Sequence, residues 1–139
     1  MCYDDIASEL LKTRAEFFHV QASQEMSKML KGELFVLNYL ATHEQQTHPN
    51  TISKEMSVST ARIAVLLNRL EEKGFITRTD DPEDNRQIIV HLTEKGAEKI
   101  AQCRKDTLNC MTEMLEYLGP DDARALLRIE KKIVQFYCK

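Results

Sequence analysis

The residues with the clearest chemical potential lie in segment 59–70, where apolar side chains recur at helical spacing. One face of the helix predicted there is suited to packing inward and carries Ile63, Leu66, Leu67 and Leu70. The other face carries small, hydroxyl-bearing, amide and cationic side chains: Thr60, Ala61, Arg62, Ala64, Val65, Asn68 and Arg69. Small side chains allow close approach to base edges, while Arg62 can donate two hydrogen bonds to guanine and Val65 can contact a thymine methyl group. Each residue alone would be typical of a solvated helix face, but the set favours binding in the DNA major groove.

The tip of a predicted hairpin is a second candidate site. Segments 75–79 and 87–92 alternate with a period of two and predict two strands, joined by the turn-forming connector DDPEDNR. Arg86 is the single cation beside four acidic residues, which are Asp80, Asp81, Glu83 and Asp84. In isolation Arg86 would fit a solvated turn, but on a hairpin that follows such a helix it can enter the narrow minor groove. We expect Asp84 to hold the Arg86 guanidinium in a charge-assisted pair, and the other carboxylates to point aside or be paired.

Long helices must position these two features. The predicted helices cover residues 4–30, 33–43, 51–56, 59–73 and 93–118, followed by a last helix after residue 120. Asn50, Ser59 and Thr93 are expected as N-caps, and Gly32 and Gly74 as helix ends. No stretch outside the hairpin resembles a strand. The order of helix, short helix, turn, helix and hairpin predicts a mainly α (α+β) fold, a winged helix-turn-helix.

The helices at the two ends of the chain predict self-association. Helix 93–118 has a seam of apolar residues spaced four and three apart, interrupted at Arg104: Ala97, Ala101, Leu108, Met111, Leu115 and Leu118. The first helix is also too apolar for a free surface, and a monomer would leave both stripes exposed. We therefore expect a homodimer in which residues 1–32 and 97–139 form dimerisation helices. Residues 33–96 form the winged helix-turn-helix part of the single domain 1–139.

Composition restricts the function classes. The chain has 139 residues, 42% of them apolar, with only four glycines and three prolines, as expected for one helical domain. The net charge of −3 gives no overall attraction to nucleic acid, so any such field must be local to the contacting face. No apolar run approaches the roughly 18 residues of a membrane span, and the N-terminus lacks a signal peptide. We expect a cytoplasmic protein without membrane contact. No sequence motif of a catalytic mechanism is present, so we expect no enzyme activity.

Cysteine and histidine placement predicts neither a metal site nor a cofactor. The cysteines at 2, 103, 110 and 138 form no CxxC pair and are expected to be reduced thiols, with thiol-based redox sensing as an alternative. The histidines at 19, 43, 48 and 91 do not form a ligand set and are expected to be ordinary surface or core residues.

The central segment resembles a known family. The stretches RLEEKGFITR at 69–78 and DPEDNRQIIVHLTEKG at 81–96 are similar to the signature of the MarR family of bacterial transcription regulators. The resemblance implies a homodimer of winged-helix subunits that binds a pseudo-palindromic operator in double-stranded DNA and usually represses. It also implies release by a small phenolic or other apolar ligand, or by thiol oxidation.

The resemblance also assigns residues to the DNA interface. Arg86 matches the arginine at the wing tip, Asp84 its partner, and Arg78 the arginine at the end of the first wing strand. Many members have a hydroxyl residue where Arg62 stands, so the base preference does not transfer. The complete set predicted to contact DNA is Ser59, Thr60, Arg62, Val65, Asn68, Arg69, Arg78, Asp84, Asn85 and Arg86.

Two further predictions concern partners. An effector pocket is expected where the first, second and fifth helices meet, with Phe17, Phe18 and Tyr39 as candidate lining residues and core packing as the alternative reading of those rings. The rival function is a winged helix used for protein–protein contact, which would present apolar anchors in place of Arg62, Arg69 and Arg86.

Overall fold

The computed structural model describes residues 2–20, 24–25 and 27–138, and its elements follow the predicted order. The helices are α1 (Tyr3–Phe18), α2 (Gly32–Thr42), α3 (Pro49–Met56), α4 (Thr60–Glu72), α5 (Glu94–Leu118) and α6 (Pro120–Tyr137), with a short 3-10 helix at Lys28–Leu30. The strands are β1 (Gln46–Thr47), β2 (Ile76–Asp80) and β3 (Ile88–Leu92). The mainly helical winged helix-turn-helix expected from the sequence is confirmed.

The prediction of one helix over 4–30 was wrong. Helix α1 ends at Phe18 with His19 as its C-cap, and the 3-10 helix at Lys28–Leu30 directly precedes α2. The last turn of α1 closes with tightened hydrogen bonds, in which the His19 N–H donates to the Glu16 carbonyl at 3.2 Å and the Val20 N–H to the Phe17 carbonyl at 3.0 Å, as is typical of a helix end. Gly32 does not end a helix but begins α2, and its φ of +70° lets the chain turn into that helix.

A third strand, which sequence patterning missed, completes the sheet. Strand β1 pairs antiparallel with β3, opposing Gln46 to His91 and Thr47 to Val90, so β3 lies in the centre of the order β1-β3-β2. β1 has only two polar residues, too few to show a period of two. In the predicted hairpin, the register runs from Ile76 opposite Leu92 to Asp80 opposite Ile88.

Capping was predicted correctly at two helices and incorrectly at one. The Ser59 hydroxyl accepts the Arg62 backbone N–H at 3.1 Å, and the Thr93 hydroxyl accepts that of Gly96 at 3.0 Å. At α3, however, the N-cap is His48, and Asn50 lies inside the helix. The reason is Pro49, whose fixed φ suits the first helical position and moves the helix start forward.

The core lies beneath the helix-turn-helix and the sheet. Its fully buried side chains come from α2, α3, α4, β2, β3 and the start of α5: Val36, Leu37, Leu40, Ile52, Ile63, Leu66, Leu67, Leu70, Ile76, Val90 and Ile100. All of the side chains predicted for the inward face of α4 are among them. The middle of the chain therefore holds the elements that display the candidate DNA-contacting residues.

The terminal helices contribute nothing to this core. Neither α1 nor α6 has a buried residue, and the seam residue Leu108 of α5 is 62% exposed. The cysteines are thiols, exposed at Cys2 and Cys138 and half-buried at Cys103 and Cys110. Among the described helices, none is long and apolar enough to cross a membrane.

Gly96 allows α5 to approach the sheet closely, and Gly96→Ala is expected to lower the free energy of unfolding by roughly 1–3 kcal/mol. An added Cβ would collide with the carbonyl oxygen of Phe75 and lie 2.8 Å from Leu92 Cδ1. Glycine-to-alanine changes in helices ordinarily stabilise by up to about 1 kcal/mol. A decrease in the free energy of unfolding would therefore identify the close approach of α5 to the sheet. Urea denaturation measures it, with Lys99→Gly, at an exposed position of the same helix outside the predicted seam, as a control expected to cost about 1 kcal/mol. A Gly96→Ala variant more stable than the parent would contradict the close approach.

Candidate nucleic-acid interface

Helix α4 presents the predicted polar face to solvent. Ser59, Thr60, Arg62, Asn68 and Arg69 are all exposed. Val65 is 42% exposed despite being apolar, because it lies on the side opposite the buried face. This two-faced helix is what a major-groove reader requires, since one face must pack and the other must approach base edges.

Arg78 connects α4 to the wing, which is the hairpin formed by β2, the loop at residues 81–87 and β3. Its Nε donates to Glu71 Oε2 at 3.0 Å and its Nη2 donates to Asn68 Oδ1 at 2.8 Å. Two residues of the predicted DNA-contacting set, Asn68 and Arg78, are thus brought together by contact with each other. Sequence reasoning missed Glu71, although its place in the motif RLEEKGFITR, just before the turn into β2, is the signal that could have found it.

Backbone hydrogen bonds order the wing tip at residues 81–87. The Asp81 N–H donates to the Gln87 carbonyl at 3.0 Å, and the Gln87 N–H donates to the Asp84 carbonyl at 2.9 Å. The Asp84 carboxylate accepts the backbone N–H of Arg86 at 3.0 Å. The predicted pair between Asp84 and the Arg86 guanidinium was therefore wrong, because aspartate readily accepts the N–H two residues on. Within the described ranges the Arg86 guanidinium has no ion-pair partner, and Asn85 is exposed beside it.

One acidic residue of the wing is paired across the fold. His48 Nε2 lies 2.9 Å from Asp81 Oδ2, and Asp81 Oδ1 accepts the Glu83 N–H at 2.9 Å. The hydrogen bond with His48 has the largest effect on the pKa of the Asp81 carboxyl and lowers it below its ordinary value of 3.8. The hydrogen bond from the Glu83 N–H lowers this pKa further. The sequence-based requirement that wing carboxylates be paired or turned aside is met at Asp81. His48 was not foreseen as the partner, because 33 positions separate the two residues.

The aromatic residues proposed for an effector pocket are not gathered around a cleft. Phe17 and the 71% exposed Phe18 lie on the surface of α1, while Tyr39 stacks on His43 with ring centroids 3.9 Å apart. A cleft of about 360 Å³ lies instead between α1 and α6, near the lower limit for small-molecule sites. Its lining residues are Arg14, Ile129, Lys132, Ile133, Phe136 and Tyr137.

A short helix, a tight turn, a two-faced helix and a cation-bearing wing define the class of winged helix-turn-helix proteins. Residues 19–103 match the family model described as transcriptional regulator SarA/Rot. The chain belongs to this SarA/Rot family of transcriptional regulators, in agreement with the resemblance of its sequence motifs to the MarR family. This is a family of regulators, which confirms the expectation that the chain is not an enzyme.

Individual relatives agree with this assignment. The chain is 32% identical over 97 residues to the uncharacterized HTH-type transcriptional regulator YdgJ of Bacillus subtilis, covering 70% of this chain and 57% of that protein. It is 27% identical over 137 residues to the HTH-type transcriptional repressor MdtR of the same organism, covering 95% and 88% of the two chains. The crystal structure of Streptococcus pneumoniae FabT in complex with DNA has the same fold, with a TM-score of 0.75, 19% identity and coverage of 98% and 97%.

The N-cap at the start of α4, the helix that carries the candidate interface, can be tested by substitution. Ser59→Ala is expected to lower the free energy of unfolding by about 0.5–2 kcal/mol, because the Arg62 N–H loses its acceptor. Ser59→Asp supplies an equivalent acceptor and should leave stability near that of the parent. Thermal and urea denaturation measure both, and the neighbouring exposed Thr60→Ala should change stability by less than about 0.5 kcal/mol. An unchanged Ser59→Ala variant would argue against this cap.

Proposed function

We propose that this protein is a sequence-specific DNA-binding repressor that binds a pseudo-palindromic operator as a homodimer. The observation that carries the proposal is the outer face of α4, where small and hydroxyl-bearing side chains surround Arg62 over a fully buried opposite face. An α-helix of this kind fits the major groove, and an arginine there donates two hydrogen bonds to guanine O6 and N7.

The wing supplies the second DNA contact in this proposal. Because the Asp84 carboxylate binds backbone, the Arg86 guanidinium is available to the minor groove, whose negative potential attracts arginine. Arg78 and Asn68 keep the wing strand next to α4 and are proposed to act through this link as well as by direct contact. With a net charge of −3, affinity must come from these local groups, and we expect few phosphate contacts per subunit.

The proposed dimer is formed through the terminal helices. Apolar side chains on α1, α5 and α6 are exposed in the single chain, including Leu10, Leu108, Leu127 and Val134. A second copy of the chain would cover them, and a two-fold dimer presents its two α4 helices to successive major grooves about 34–36 Å apart. The name of the relative MdtR, a transcriptional repressor, supports repression as the outcome of binding.

Release by a small apolar or phenolic effector completes the proposal. Such a ligand can free DNA only if it binds the DNA-incompetent arrangement of the dimer more tightly. Because Phe17, Phe18 and Tyr39 do not share a cleft, the site favoured for such a ligand is the cleft between α1 and α6, which Ile129 and Ile133 help to line.

Substituting each of two arginines should distinguish the recognition of bases from the recognition of groove shape. Arg62→Ala is expected to cost about 1–3 kcal/mol of binding free energy and to relax preference at one base pair per half-site. Arg86→Ala should weaken binding mainly to sites with A·T-rich flanks, because it loses a minor-groove contact. Fluorescence anisotropy at fixed salt measures both, using a duplex that the wild-type protein selects from a random-sequence pool.

The charge-matched control for this test is Arg124→Ala on α6, an exposed arginine far along the chain from the winged part. It should bind DNA like the wild type. If the Arg62/Arg86 double variant is folded by circular dichroism and keeps wild-type affinity and salt dependence, DNA is not read by α4 and the wing, and the protein-contact function becomes the better one.

Light scattering tests the dimer. We expect a mass of about twice the 16.1 kDa chain at micromolar concentration. Ile133→Glu should shift the mass towards one chain, because it places a charge on the apolar face of α6, whereas Lys131→Glu on exposed surface should not. A wild-type mass of one chain across this concentration range would contradict dimerisation.

A further inference from the structure

His48 joins the helix-turn-helix to the wing. It follows β1 and is the N-cap of α3, and its Nε2 lies 2.9 Å from Asp81 Oδ2. The Asp81 side chain is only 13% exposed, while that of His48 is 40% exposed and open to exchange protons with solvent. The contact therefore links the start of α3 directly to the residue where the wing loop begins.

Asp81 is the residue from which the wing loop is built. Its two carboxylate oxygens are divided between His48 and the Glu83 N–H, and its own N–H closes the loop on the Gln87 carbonyl. On the far side of the loop, Arg86 lines a cleft of about 190 Å³ with residues at the start of α3. Its lining residues are His48, Pro49, Asn50, Arg86, Gln87 and Ile88. His48 and Arg86 thus line the same cleft.

The charge on the contact between His48 and Asp81 can change with pH. Histidine is the side chain whose ordinary titration falls between about pH 5 and 8. Over that range Asp81 stays ionised, since its pKa lies below 3.8. A protonated His48 would then form an ion pair with Asp81 and reduce the negative charge that the wing presents to phosphates.

Resting on the proposed DNA-binding function, we propose that His48 is a positioning residue for Arg86 and that its protonation strengthens the wing's contact with DNA. In the neutral form His48 can still donate to Asp81, so the wing keeps its place at alkaline pH. In the protonated form the same atoms carry an additional positive charge towards the duplex. Binding then takes up a proton, so affinity rises as the pH falls.

Other titratable and charged groups surround this contact. The wing loop contributes Glu83, Asp84 and Arg86, and Asp80 ends the adjoining strand β2. On β3, His91 Nε2 lies 2.9 Å from Thr79 Oγ1. His91 is therefore the second histidine near the wing for which a control variant is needed.

Three substitutions test the positioning of Arg86 by His48 separately from the effect of His48 protonation. His48→Gln keeps an N–H donor at nearly the same position but cannot be charged, His48→Ala removes the donor, and Asp81→Asn removes the negative partner. His91→Gln and the exposed His43→Gln are matched controls that remove a titrating ring elsewhere. The probe is a duplex with A·T-rich flanks, selected by the wild-type protein from a random-sequence pool, and the measurement is anisotropy at about pH 5.5 and about pH 8 at equal ionic strength.

The wild type and both control variants should bind more tightly at the lower pH, by roughly two- to fivefold per half-site, as for a partly exposed ion pair. His48→Gln should match the wild type at the higher pH and lose the increase. His48→Ala should bind more weakly at both pH values, and at the higher pH it should add no further loss in an Arg86→Ala background. Asp81→Asn, which leaves the protonated His48 without its charged partner, should show a smaller increase than the wild type at the lower pH. Circular dichroism and melting temperatures at each pH confirm that every variant is folded.

Several outcomes would overturn the proposal. A His48→Gln variant that keeps the full pH dependence would show that another group, such as His91, takes up the proton. A folded His48→Ala variant with wild-type affinity at both pH values would show that His48 does not position the wing. If no sequence is enriched from the pool and no duplex binds, the DNA-binding function itself fails, and this inference fails with it.

Discussion

The interface depends on the burial of one face of α4. Ile63, Leu66, Leu67 and Leu70 are at most 2% exposed, and each such side chain stabilises the folded state by about 1.5–3 kcal/mol relative to an exposed position. This burial fixes the rotation of the helix about its own axis. The opposite face, with Arg62 and Val65, is consequently directed outward. Its orientation comes from the burial of the inner face and requires no contacts of its own.

The wing is attached to this helix by polar contacts rather than by apolar packing alone. Arg78 bonds to Asn68 and Glu71 on α4, while His48 at the start of α3 bonds to Asp81 where the loop begins. Arg78 lies in the middle of β2 and Asp81 directly follows the strand, so β2 is bonded to both helices of the helix-turn-helix. The major-groove and minor-groove contacts are therefore expected to move as one unit.

Local patterning predicted the parts of the fold that local forces decide. The buried face of α4, the caps at Ser59 and Thr93 and the hairpin all follow from residue spacing and short-range hydrogen bonds. What could not be predicted depends on residues far apart in sequence or on very short elements: strand β1, the end of α1, and the pairing of His48 with Asp81. Asp84 was assigned the wrong partner because spacing alone does not distinguish a guanidinium from the backbone N–H of the same arginine.

The central claim is that α4 and the wing read DNA together. Its most direct test is chemical interference and footprinting on a duplex selected by the wild-type protein. We expect methylation of guanine N7 in each half-site to block binding, with hydroxyl-radical protection in the adjacent minor groove, repeated about one helical turn apart. Binding that is indifferent to guanine methylation and leaves the flanking minor groove unprotected would contradict the account.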